Sequence, residues 1–207
     1  MCGRYTLRTP RARLEETFEL HAPQWLTPRF NIAPSQSIAV IRAHQGSTEW
    51  ASLRWGLIPH WAKQDKLPYS TINARAETVA EKPAYRKPFR ERRCLVPADG
   101  FYEWKAAGKS RQPFFIHRSD DAPFAFAGLW DRWQQGEQCI DSVTIIVTAA
   151  NAAMAPLHTR MPVILAQENY RAWLDHDHFD ARQLQALLVP YPGQDLELYP
   201  VARTVNK

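Results

Sequence analysis

The residues with the most distinctive chemistry open the chain, Met1-Cys2-Gly3-Arg4. Cys2 is small enough for a methionine to be cleaved in front of it, and that cleavage is expected. It would leave an α-amine and a thiol on adjacent carbons. An α-amine titrates near ~7.8 and a lysine near ~10.4, so at neutral pH roughly a few hundred-fold more of it is free base. A free amine attacks an aldehyde to give an imine, and the neighbouring thiol can close on the imine carbon as a five-membered thiazolidine. Both groups sit on one residue, so the second attack is intramolecular. The alternative is that Cys2 belongs to an unstructured end without a role.

Other polar residues stand among bulky apolar ones, where a plain core would not put them. They are Asn31 in Phe-Asn-Ile-Ala-Pro, Asn73 in Ile-Asn-Ala-Arg, Glu103 between Tyr102 and Trp104, and His158 with Arg160. A carboxyl group buried between rings disfavours its charged form, which suits proton transfer; the competing reading is an exposed strand glutamate. His158 can shuttle a proton near neutrality, or serve as an ordinary core or surface histidine. Asn73 can hydrogen-bond a substrate oxygen, or cap a helix. Asp175-His176-Asp177-His178 offers ligand types in a row, but nothing pairs with it at a metal-site spacing, so it reads as a solvated loop and no metal is expected. No phosphate-binding glycine loop, serine elbow or zinc pattern is present, and no cofactor is expected.

The elements that must position these residues are mostly strands. Ser37–Arg42 and Thr48–Arg54 read as a hairpin about Gln45-Gly46. Cys94–Pro97, Phe124–Trp130 and Ser142–Thr148 are apolar enough to be central strands. Phe101–Lys105 turns at Ala107-Gly108 and returns as Gln112–Arg118; Met161–Leu165 and an edge strand at Leu196–Tyr199 follow. Thr9 reads as the cap of a helix ending near Leu20-His21, Pro28–Pro34 as an extended loop, and Thr71–Thr78 as the start of a short helix. Asn151–Leu157 is a loop or short helix, and Glu168–Leu174 and Ala181–Leu188 are surface helices. The basic run in Tyr85–Arg93 reads as a solvated helix face. Hairpin-linked strands outnumbering helices predict an α+β fold with a mostly antiparallel sheet core and surrounding helices.

Length and composition set the bounds. The chain has 207 residues, and one domain spanning 1–207 is expected. An apolar share of 45% and a charged share of 23% are those of an ordinary globular protein. No apolar run is long enough to span a bilayer, and Arg4, Arg8, Arg11 and Arg13 interrupt any signal-peptide segment. Cys2, Cys94 and Cys139 make an odd set without disulfide spacing, which predicts a reducing, cytoplasmic setting. The net charge of +5 permits an anionic partner.

Taken together, several stretches resemble one family, the SRAP proteins, also called abasic-site processing proteins or SOS-response-associated peptidases. They are Met1-Cys2-Gly3-Arg4, Phe30–Pro34, Trp55–Pro59, Ile72–Thr78, Arg93–Trp104 and His158–Leu165, in that order along the chain. The resemblance implies a single α+β domain with a barrel-like antiparallel core. It implies that Cys2, freed of Met1, couples covalently to the ring-opened aldehyde of an abasic site in single-stranded DNA. On the matching positions Asn73, Glu103 and His158 assist; Arg4, Arg75 and Arg160 hold the DNA backbone; Pro34 and Trp61 pack against bases beside the lesion. Family members often carry a second tryptophan after the position of Trp61, where this chain has Ala62, so that aromatic contact is reduced. A monomer near DNA, nucleoid-associated in a bacterium, is the matching expectation. A peptidase using Cys2 as nucleophile and His158 as base is the alternative, and a non-catalytic single-strand-binding module is a third reading, one that leaves Cys2 and Glu103 without a role.

Overall fold

A computed structural model describes residues 2–108 and 110–206. Met1, Lys109 and Lys207 lie outside the described residues, and so does the expected removal of Met1. In chain order the elements are β1 (Arg4–Leu7), α1 (Arg11–Phe18), β2 (Arg29–Ile32), β3 (Ser37–His44), β4 (Ser47–Trp55), β5 (Asn73–Arg75), α2 (Arg86–Glu91), β6 (Arg93–Ala98), β7 (Gly100–Ala107) and β8 (Ser110–Arg118). They continue with β9 (Phe124–Gln135), β10 (Gln138–Ala149), β11 (Arg160–Pro162), β12 (Ile164–Leu165), α3 (Tyr170–Leu174), α4 (Ala181–Ala186) and β13 (Leu196–Pro200).

The longest apolar runs form the centre, as their composition requires. β9 and β10 are a long hairpin, and the pairings β9–β6, β6–β3, β3–β4 and β4–β10 bring the sheet back to its start as a closed five-stranded barrel. The closing β4–β10 pair is parallel, as is β5 on β10; the other pairings are antiparallel. Closure removes the exposed edges an open sheet of such apolar strands would carry. A second, antiparallel sheet runs in the order β13-β8-β7-β1-β2 and packs on the barrel. Tyr5 of β1 meets Trp55 of β4 edge-on at 5.5 Å between ring centroids and Phe126 of β9 at 5.9 Å. Such ring pairs add about 0.5–1.5 kcal/mol beyond the area they bury. A second core, with Phe89, Trp173, Leu184 and Leu188, fastens α2, α3 and α4 to the other flank.

Four local expectations change, each because a distant partner outcompetes a local preference. Thr9 does not cap α1: its hydroxyl donates to the buried Asp99 at 2.8 Å, and the helix begins after Pro10 and ends at Phe18. Pro28–Pro34 contains an edge strand, β2, paired with β1. Asn73–Arg75 is a strand, captured by the free edge of β10, and only Ala76–Thr78 turns, as a 3-10 helix. The basic run is only partly a solvated face. Arg93 is 2% exposed and donates to the carbonyls of Phe89, Arg90, Trp173 and Asp175, while Arg92 pairs with buried Asp131. The predicted turns stand: Gln45 and Gly46 have φ of 51° and 78°, the left-handed pair a tight hairpin needs.

Candidate active site

The register of β1 on β7 decides what lies beside Cys2. Arg4 faces Tyr102 and Tyr5 faces Phe101, so the chain preceding β1 runs alongside Glu103. Cys2 is fully buried and Glu103 is 3% exposed. Burial pushes the Cys2 thiol well above its ordinary range, and the negative charge of Glu103 pushes it further. Glu103 itself accepts the Trp104 N–H at 3.2 Å through Oε1.

Asn73 reaches the site from the barrel. It lies opposite Ile145 of β10 and donates weakly from Nδ2 to the Ile145 carbonyl at 3.4 Å. Its Oδ1 is buried and has no hydrogen-bond partner among the described residues. An orphaned buried acceptor is costly, about 1–3 kcal/mol. His158 closes the turn that joins β10 to β11. Its N–H donates to the Met154 carbonyl at 3.1 Å, and its Nδ1 accepts the Arg160 N–H at 2.9 Å. That contact places the proton of the neutral ring on Nε2. The core that contains Cys2 also contains Met154 and Met161, with Ile72 packed against it. Met161 follows Arg160 and Ile72 precedes Asn73 in sequence, and Met154 accepts the His158 N–H.

The three arginines differ. Arg75 is exposed on β5, and its guanidinium makes no side-chain hydrogen bond among the described residues. Arg160 of β11 pairs with Glu77. Arg4 donates from Nη1 to Asn31 Oδ1 at 2.9 Å and to the Val205 carbonyl at 2.5 Å. Asn31, singled out from the sequence, thus tethers β2 and the C-terminal turn to Arg4, and it also donates to Val205 at 3.1 Å. Pro34 lies half-buried just after β2.

Trp61 is 49% exposed, yet its segment is pinned from below. Ile58 N–H donates to Ser142 Oγ at 2.7 Å, His60 N–H to Asp131 at 2.8 Å, and Trp133 Nε1 to the Ala62 carbonyl at 2.7 Å. Sequence reading missed these supports, because a lone Asp131 inside an apolar strand carries no local signal. Asp175 and His178 do join, at 3.0 Å, but among the described residues no group of three or more potential ligands could hold a metal ion.

The sequence model of the family described as SOS response associated peptidase (SRAP) matches residues 1–207. The chain belongs to the SRAP family. Among SRAP relatives, the abasic site processing protein YoqW of Bacillus subtilis (strain 168) is 44% identical over 213 residues, covering 100% of this chain and 94% of the relative. The abasic site processing protein HMCES of Gallus gallus is 30% identical over 251 residues, covering 100% of this chain and 74% of the relative. The crystal structure of a protein from Bacteroides thetaiotaomicron superposes with a TM-score of 0.89 at 25% identity, covering 100% of this chain and 95% of that one. The SRAP fold is therefore the fold of this chain, with its closed barrel and few helices.

Proposed function

We propose that the chain processes abasic sites in single-stranded DNA, forming a covalent thiazolidine through Cys2 once Met1 has been removed. The observation that carries this reading is the buried Cys2 thiol under the influence of Glu103. A thiol held protonated does not compete for the aldehyde, so the α-amine attacks first. The amine adds to C1′ of the ring-opened sugar, and the carbinolamine loses water to give the imine, with Glu103 and His158 moving the protons. The thiol then adds across the imine: the S–C bond forms and the S–H proton passes to nitrogen. Water is the only by-product. The orphaned Oδ1 of Asn73 suits an N–H donor such as the Cys2 amine. A duplex cannot present C1′ without distortion, which favours a single strand. The net charge of +5 suits that polyanion, and the same reading takes the protein as a monomer working where DNA is, in the cytoplasm or on a nucleoid. The relatives named for abasic-site processing support the lesion as substrate.

The peptidase reading is less well supported. A nucleophilic cysteine needs its thiolate, hence a lowered pKa, and burial moves Cys2 the other way. The test is a denaturing gel of wild type and Cys2→Ala with an oligonucleotide carrying one abasic site, alongside intact mass of the protein. Wild type lacking Met1 gives a heat-stable band. Cys2→Ala keeps an amine but cannot close the ring, so its adduct hydrolyses unless trapped with borohydride. Full, stable crosslinking by Cys2→Ala would sink the thiazolidine.

A further inference from the structure

A groove of about 940 Å³ lies between the end of α1, the β3–β4 turn and α3, and no residue placed in the candidate active site lines it. Its volume is at the upper end for binding sites, about 300–1,000 Å³. The floor is apolar. Ile41 and Tyr170 are buried there, while Phe18, Leu20 and Leu174 are half-buried and left partly open to solvent. Phe18 stacks on Tyr170 at 5.6 Å between ring centroids, so α1 and α3 hold the floor as one surface. The rim is acidic. Glu19, Glu168, Asp175 and Asp177 stand around it against one guanidinium, that of Arg171, and the imidazole of His176. This excess of carboxylates sits on a chain whose net charge is +5. Asp175 and Asp177 belong to the Asp-His-Asp-His run, to which the abasic-site reading gives no role. Glu19 ends α1 with a φ of 51°, where glycine is favoured by conformation and a cation by the helix dipole. Its ion pair with Arg171, at 2.9 Å, joins two exposed side chains and stabilises little. Folding alone favours another residue at that place.

We propose that this groove docks an amphipathic helix of a partner protein, its apolar stripe on Phe18, Leu20 and Leu174 and its Lys and Arg side chains against Glu168 and Asp177. Charge complementarity selects the partner: the rim repels the polyanion that the net charge of the chain attracts, and it accepts a cationic surface. The apolar floor selects a helix, because a peptide entering such a groove has to bring its own backbone hydrogen bonds. Apolar anchors at i, i+3, i+4 and i+7 of that helix would meet the half-buried side chains of the floor. The proposal does not depend on the reading of Cys2.

The probe is a fluorescently labelled helical peptide of leucine and lysine, about five turns or roughly 18 residues long, with its leucines on one stripe, titrated with the full chain. Two relatives of it separate the contributions. One has glutamate in place of every lysine, the other serine in place of every leucine. Wild type should bind the leucine–lysine peptide about 10-fold or more tighter than either relative. Glu168→Lys combined with Asp177→Lys, both at exposed positions, should lose about 10-fold on the leucine–lysine peptide and gain about as much on the leucine–glutamate one, with Tm nearly unmoved. Glu168→Gln combined with Asp177→Asn keeps the shapes and should lose about 3-fold, which serves if the charge reversal disturbs folding. Equal binding of the three peptides by wild type, or an unchanged preference in both double variants, would overturn the groove as a helix site. A dimer in sedimentation velocity that the variants dissociate and the peptide does not would overturn it in favour of a second copy of this chain.

Discussion

Residues of one type do different work here according to their partners. Glu103 is the clearest case, a carboxylate nearly sealed from solvent whose charge reaches Cys2. Glu103→Gln keeps the size and the hydrogen bond to Trp104 but removes the titrating proton. General acid–base help is typically about 10²–10⁴ in rate. The variant should fold, bind intact single strands like wild type, and reach the same thiazolidine about 10²–10⁴-fold more slowly in a crosslinking time course. A wild-type time course would return Glu103 to the status of a strand residue. The arginines divide in the same way. Arg75, whose guanidinium makes no side-chain hydrogen bond among the described residues and meets Glu77 only through its charge, should act chiefly on DNA. Arg75→Ala should lower the salt slope of single-strand binding by about 0.7 without moving Tm. Arg4 bridges Asn31 and Val205, so Arg4→Ala should also lower unfolding free energy by about 1–2 kcal/mol, read from urea midpoints.

At the scale of elements, the site depends on how tightly β1 and β7 lie against their neighbours. Gly100 opens β7, opposite Thr6, and a Cβ there would stand 2.2 Å from the Phe115 ring and 3.1 Å from the Ile116 carbonyl. Both cannot be relieved by one rotamer change. Gly100→Ala should therefore cost about 1–3 kcal/mol and slow crosslinking by disturbing the strand that carries Glu103. Thermal unfolding and the crosslinking rate, measured on the same preparation, check the link. Asp99 fastens this region independently: its carboxylate accepts from Thr6 Oγ1 at 2.6 Å, from the Arg8 and Thr9 N–H groups at 2.5 and 2.7 Å, and from Thr9 Oγ1. On the barrel side, hydrogen bonds at Ile58, His60 and Ala62 hold the segment that carries Trp61; if Trp61 packs on DNA bases as the family resemblance implies, less ordering entropy is lost on binding.

The whole molecule carries a pH dependence set by its core. Burial raises the thiols of Cys2 and Cys94 and the phenol of Tyr5. In the unfolded chain these groups titrate near ~8.5 and ~10. Below about pH 8.5 both states hold the protons and the stability is fully present. Above it the unfolded state releases protons that the folded state keeps, so stability falls as pH rises, by up to about 1.4 kcal/mol per pH unit for each group. Urea midpoints should decline from about pH 8.5 and more steeply past about pH 10. Cys94→Ala should be less stable at neutral pH, since it leaves a void, but should decline less steeply; an unchanged slope would show that Cys94 does not hold its proton. Among the described residues no helix is long and apolar enough to cross a membrane.

The sequence by itself determined the central strands and their turns, though not β2 or β5. Phe124–Trp130 is an unbroken apolar run, Ser142–Thr148 is rich in β-branched residues, and Gln45-Gly46 and Gly108 supply positive φ where hairpins reverse, because these signals are carried by neighbouring residues. It also carried the family resemblance, through motifs that keep chemistry-bearing residues beside their anchors. Tertiary structure alone decided which polar groups are spoken for. Asp99 takes the hydroxyl of Thr9 across 90 residues, Val205 takes Arg4 across 201, and Arg93 leaves a basic run to hold Trp173 and Asp175. Asn73 became a strand residue because β10 had an edge to offer, and Tyr69 met Tyr85 only through the fold. Periodicity reports which face of an element is buried; it does not report what lies on the other side of the contact.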